Sequence, residues 1–317
     1  MSALLLPALA ASSSGHGALY VDDVFSTYLY TGNGSQQAIN NGIDLAGKGG
    51  LVWNKRRDNS TQHLLEDTVR GVGFALWTAS DTAAVGGGIA SFNSNGFTTS
   101  SNISASGSSN VSWTFRKAPK FFDVVTYTGN GVAGRQIAHS LGVQAGFVTV
   151  KATSTAGNWN SYHRSATGDL KLNLTDAQTA SRAIITAADA STFTVSGAAN
   201  TNGVSYVAYL WAHDQSADGF IQCGSLTTDS SGSATVNLGW ANGSQFAMIK
   251  AASTTGDWEM YDTARTSAWS GNDARLRANL SNAEDSVARI SASGTSITFA
   301  GLSANSTHIY MAIRSPS

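Results

Sequence analysis

Apolar residues in this chain recur in short runs with a period of two. Val111, Trp113 and Phe115 alternate with Ser112 and Thr114, the mark of a strand with one face turned inward. Three apolar runs each end on a lysine, at Gly50–Lys55, Gly146–Lys151 and Gln245–Lys250. A second set of strands follows at Val111–Phe115, Val207–Trp211 and Ile309–Ile313. Their central residues Trp113, Tyr209 and Met311 lie 58, 58 and 61 positions beyond the three lysines.

Other landmarks keep the same spacing. Ser154–Trp159 and Ser253–Trp258 match nearly residue for residue, and Asn173–Gln178 corresponds to Asn279–Glu284. The phrase Tyr-Thr-Gly-Asn-Gly occurs at Tyr30–Gly34 and again at Tyr127–Gly131, 97 residues later. The third copy, at Cys223–Gly232, has lost the phrase and keeps Asp229, Ser231 and Gly232, which retain turn chemistry. A period of this length is too long for a solenoid unit and suits a small sandwich. The pattern predicts an all-β chain of three tandem β-sandwich-like modules at 24–120, 121–216 and 217–317, after an N-terminal arm at 1–23. Pro119 and His213–Gly219 mark the junctions, and without a low-complexity linker the modules are expected to pack end to end. Helix is expected only for a turn or two after Thr175 and Ser281, where a hydroxyl residue stands three before Gln178 or Glu284.

Composition narrows the function classes. Only 12% of residues are charged and the net charge is −1, so no basic field draws nucleic acid or acidic lipid. The one cysteine, Cys223, has no cationic neighbour to form a thiolate, and it excludes an intrachain disulfide. Ala3–Ala10 is apolar but too short to span a bilayer. The first basic residue is Lys48, so the basic start of a signal peptide is missing. Residues 1–23 are therefore expected to dock into another protein.

Candidate chemistry is sparse. Gly42–Gly49 has phosphate-loop spacing up to Lys48, but Gly49 stands where a hydroxyl should ligate magnesium and a strand follows. His63 and Asp67 share one strand face and suit an ordinary hydrogen bond, with no third group to make a general base. Asp67–Arg70 and Asp262–Arg265 recur at the same spacing, as turn-stabilising ion pairs. No catalytic residue, metal site or cofactor is expected. Trp159 and Trp258 follow Gly-Asn and Gly-Asp turns and admit two readings: core tryptophans, or walls of a sugar-binding groove with Asn158, Asp257 and Tyr261 as polar contacts.

Two segments, Asp22–Trp53 and Val111–Val125, resemble repeat modules of virion structural proteins of tail-fibre type from marine tailed bacteriophages, cyanophages included. The resemblance is close over about residues 20–165 and looser in the last module. It implies a protein on the virion surface, a tail-fibre or tail-tip component for host attachment. Its expected partners are other virion proteins through residues 1–23 and a host surface glycan or protein, in a homo-oligomer, by resemblance a trimer. The rivals are a purely structural capsid decoration or head fibre, and a surface-glycan depolymerase.

Overall fold

The computed structural model describes residues 19–266, 269 and 271–316. They form an all-β protein with six antiparallel sheets, a large and a small one in each of three successive stretches of chain. In the first stretch the large sheet runs in the order Phe25–Thr31, Ser109–Arg116, Gly50–Arg56, Leu64–Asp67, Leu76–Trp77. In the second it runs Phe122–Thr128, Ser205–Ala212, Ala145–Ala152, Asn160–His163, Leu170–Lys171. The third repeats that order with Ile221–Thr227, Thr307–Arg314, Ser244–Ala251, Trp258–Asp262 and Asp273–Arg277, then adds Asp285–Val287 at the edge. The landmark lysines occupy one register position: Lys55 faces Val111, Lys151 faces Val207 and Lys250 faces Ile309.

Each large sheet buries both faces. Successive side chains point to opposite sides of a strand, so Phe246 and Met248 go one way while Ala247 and Ile249 go the other. The outer face packs under the small sheet, which in the first stretch brings Ile39, Ile89 and Phe97 onto Val52 and Tyr30. In the third stretch Ile290, Ile297 and Phe299 cover Ala247, Ile249 and Ala312. The inner faces of all three large sheets meet in a single hydrophobic core. Leu51, Trp53, Trp113 and Phe115 pack there with Phe147 and Trp211 and with Phe246, Met248 and Trp258. Edge-to-face contacts join Phe115 to Trp211 at 5.6 Å and Phe25 to Phe246 at 5.6 Å between ring centroids.

Polar contacts repeat around this core and close it into a ring. The backbone amides of Ala84, Gln178 and Glu284 donate to the carbonyls of Thr153, Ala252 and Arg57, at 3.1, 2.9 and 2.8 Å. Thus the first stretch binds the second, the second the third, and the third the first. A buried group also crosses each junction. Tyr209 Oη donates to Asp67 Oδ2 at 2.8 Å, and Trp113 Nε1 to Asp262 Oδ2 at 2.9 Å. Both carboxylates are held by the arginine three residues on, Arg70 or Arg265, at 2.6 Å. The third junction presents Met311, which has no donor for a carboxylate, and there the Asp position is His163, whose Nε2 lies 3.0 Å from the Tyr310 carbonyl. The ion pair is present where the neighbour can satisfy it and absent where it cannot, as the cost of an uncompensated buried charge requires.

Several expectations change. The three stretches do not pack end to end; they wrap a common core, because a large sheet with two apolar faces is covered on only one by its own small sheet. No helix forms after Thr175 or Ser281. The Thr175 carbonyl instead accepts from Gly256 N and Lys250 Nζ, and Glu284 pairs with Arg57 across the ring and with Arg265 in its own stretch. A four-residue helix forms at Leu45–Lys48, capped by Asp44, which accepts from Gly47 N. His63 does not pair with Asp67: its Nδ1 accepts from Trp53 Nε1 at 3.0 Å. The arm assigned to 1–23 lies mostly outside the described residues, and Val21–Asp23 forms a 3-10 turn with Val21 in the shared core. The repeated turn phrase is structural. A Cβ on Gly32 or Gly129 would come within 2.2 or 2.1 Å of a backbone carbonyl, and Gly34 and Gly131 have φ of +83° and +74°.

Because the inner core is shared, the chain should unfold in one transition. Trp258→Ala, at a cost of about 3–5 kcal/mol, should lower the denaturation midpoint of the whole molecule, as seen by circular dichroism and by amide exchange in the first stretch. Residues 24–120 alone should yield no dispersed NMR spectrum.

Acid should also weaken the fold. Burial lowers the pKa of His63 well below the usual value and that of His163 to about 3. Both stay neutral in the native state while the unfolded chain takes up protons near 6.5. The contribution of these histidines is therefore complete above about pH 6.5 and is lost as pH drops toward 3, by about 1.4 kcal/mol per unit per histidine. Urea midpoints measured from pH 7.5 to 4.5 should show this slope, and His163→Gln should flatten it.

Candidate functional site

The outer surface carries one groove three times, each between the third and fourth strands of a large sheet and the loops that lead to its small sheet. In the first stretch it is lined by Asn54, Arg56, Gln62, Leu64, Trp77 and Asn110 among others. In the second, Ala152, Asn158, Asn160, Lys171 and Tyr206 line it. In the third, Ala251, Asp257, Glu259 and His308 do so. Strand register makes these equivalent positions: Arg56 faces Asn110, Ala152 faces Tyr206, and Ala251 faces His308. The volumes are about 300, 310 and 130 Å³.

The linings differ in charge. Asp257 meets Arg277 at 3.3 Å, and Glu259 bridges Arg275 at 2.8 Å and Arg289 at 3.0 Å, so the third groove is narrowed by its own ion pairs. In the second groove Tyr206 Oη donates to the Ala198 carbonyl and stacks on Tyr127 with ring centroids 5.1 Å apart. The first groove has no carboxylate in its lining, and its one cation, Arg56, is paired with Asp58 at 2.5 Å.

Of the residues singled out in the sequence, two reach these grooves and three do not. Asn158 and Asp257 line the second and third. Trp159 and Trp258 are 0% and 1% exposed, inside the shared core. Their indole N–H groups donate to the carbonyls of Trp77 and Lys171, each at 3.0 Å, and so bind one stretch to the one before it. No sugar ring can stack on them. Tyr261 is also buried, between the sheets of the third stretch, with its hydroxyl donating to Glu259 at 2.6 Å. In the first stretch His63 takes the tryptophan position, and its buried Nε2 finds no hydrogen-bond partner among the described residues.

The one tryptophan that lines a groove is Trp77. It stands where the other stretches have Lys171 and Arg277, opposite Leu64, Asn160 and Glu259 respectively. Aligning the short fifth strand would have exposed this substitution, but two residues carry too little pattern to be found unaided. No cluster of three or more His, Cys, Asp or Glu suited to a metal occurs among the described residues. Burial pushes the Cys223 thiol well up, as expected of an inert side chain.

The chain belongs to a domain family described as a domain of unknown function, DUF7483, whose profile matches residues 21–315. That single match runs through all three stretches, in keeping with their common core. No curated protein matches the chain.

Seven of the eight tryptophans are buried, and only Trp77 is partly open to solvent. Acrylamide should therefore quench a small fraction of the fluorescence, and Trp77→Phe should remove that fraction with little change in the rest.

Proposed function

We propose that this protein is a virion structural component of a tailed bacteriophage, part of a tail fibre or tail tip, and that it contributes to attachment at the host surface. The observation that carries this reading is the threefold recurrence of one groove on a scaffold held rigid by a shared core. Contact surfaces gain from repetition: several weak sites on one body raise avidity by about 10²–10⁴. Catalysis needs one pre-organised centre, and glycoside hydrolysis in particular needs two carboxylates free to act. The carboxylates at the third groove, Asp257 and Glu259, are instead held by arginines.

The resemblance over Asp22–Trp53 and Val111–Val125 supports the same reading. Those segments supply an edge strand and most of the two strands next to it in the first large sheet, and the crossing into the second stretch. On this proposal the segment before Val21 docks to other virion proteins, and the grooves face a host surface glycan or protein. Association of chains into trimers multiplies the grooves further.

Labelled protein should adsorb to host cells and compete with infection by a phage that carries it, and antibody against it should decorate the tail. Capsid labelling without adsorption would replace this reading with a decoration protein. Release of reducing sugar from host polysaccharide would replace it with a depolymerase.

A further inference from the structure

We infer that the groove of the first stretch is a binding site for an uncharged sugar residue, with Trp77 as the stacking face and Gln62, Thr61, Asn54 and Asn110 as the polar contacts. This deepens the attachment reading by naming a site and a ligand chemistry. The first argument is charge. With no carboxylate in the lining and Arg56 engaged by Asp58, the groove offers no free ion to a charged ligand. Amides, hydroxyls and an aromatic edge beside Leu64 and Ile103 match a molecule with one apolar and several hydroxylated sides. A volume of about 300 Å³ lies at the small end of ligand pockets, which span roughly 300–1,000 Å³, and suits one ring.

The second argument is polar groups left without a partner. Gln62 Oε1 and Thr61 Oγ1 are shielded from bulk water and find no hydrogen bond among the described residues. Buried polar atoms in native proteins are nearly always satisfied, so such atoms in a groove need an account. Asn54 and Asn110 are each 2% exposed. Their amide nitrogens donate to Tyr30 Oη and to Ser108.

Comparison within the molecule shows why this groove alone is open in this way. Gln62 is equivalent to Asn158 and Asp257, which are clamped by Asn173 and Asn279 at 2.8 and 2.7 Å. The position of that clamp in the first stretch, two residues after Trp77, is Ala79. Loss of the clamp frees Gln62 in the one groove that has also acquired a tryptophan.

The test is titration of the whole protein with maltotriose, with an N-acetylglucosamine trimer and with trigalacturonate as the charged counterpart, followed by Trp77 quenching and by amide NMR shifts. At least one neutral trimer should bind in the millimolar range, protect Trp77 from acrylamide and shift Gln62 and Asn110, while trigalacturonate should not. Trp77→Ala should weaken binding about tenfold or more. Ala79→Asn, which restores the clamp without touching the core, should weaken it as well, and Val132→Ala, on an exposed turn outside all three grooves, should leave it unchanged. Absence of binding by both neutral trimers, equal binding of the charged one, or binding indifferent to Trp77→Ala and Ala79→Asn would overturn the site. Failure of both neutral trimers to bind a protein that still adsorbs to cells would sink this site and leave the attachment reading standing; sugar binding by a protein that never adsorbs would do the reverse.

Discussion

A large sheet here has two apolar faces and only one small sheet to cover them, and most of the architecture follows from that shortage. The uncovered faces carry Leu51, Trp53, Trp113 and Phe115 in the first stretch, Phe147 and Trp211 in the second, and Phe246 and Met248 in the third. Fully burying one such side chain is worth about 1.5–3 kcal/mol, so three faces of this kind cannot stay in water. They cover one another. The ring of backbone bonds at Ala84, Gln178 and Glu284 then holds each face in register with the next.

The polar groups inside this arrangement are matched to their neighbours. Asp67 and Asp262 are wholly buried, and each finds a donor on the adjoining sheet as well as its own arginine. His163 replaces them where the adjoining residue is Met311. Three lysines on equivalent strands, Lys55, Lys151 and Lys250, donate to main-chain carbonyls, the last two across a junction to Asp81 and Thr175. Burial lowers the pKa of all three to about 8. Lys151 and Lys250 thus sit at sheet junctions.

Once the inner faces are committed, variation is left to the outside. The tryptophans of the core and the asparagine clamps serve the same purpose in two of the three stretches, and the grooves above them have taken different chemistry: an aromatic wall with free amides, a polar groove with a lysine, and a lattice of arginine pairs. A repeated scaffold with diverging grooves suits a molecule that works by contact.

The spacing of the long strands in the large sheets was legible in the sequence, while the small-sheet strands and the two-residue fifth strands were not. Register is a property of covalent spacing, and lysines 55, 151 and 250 with residues 113, 209 and 311 retain it even where the intervening loops differ. The ion pairs at Asp67–Arg70 and Asp262–Arg265 were legible for the same reason, being three residues apart. What alternation along a strand cannot show is what each face will meet. Trp159 and Trp258, after their glycine turns, have the same local pattern whether they border a groove or enter a core, and only the arrival of another sheet put them inside. Gln62, Ala79 and Trp77 become a site only when three strands and two loops converge, and that convergence was decided by the tertiary structure through the need to bury the second face of every large sheet.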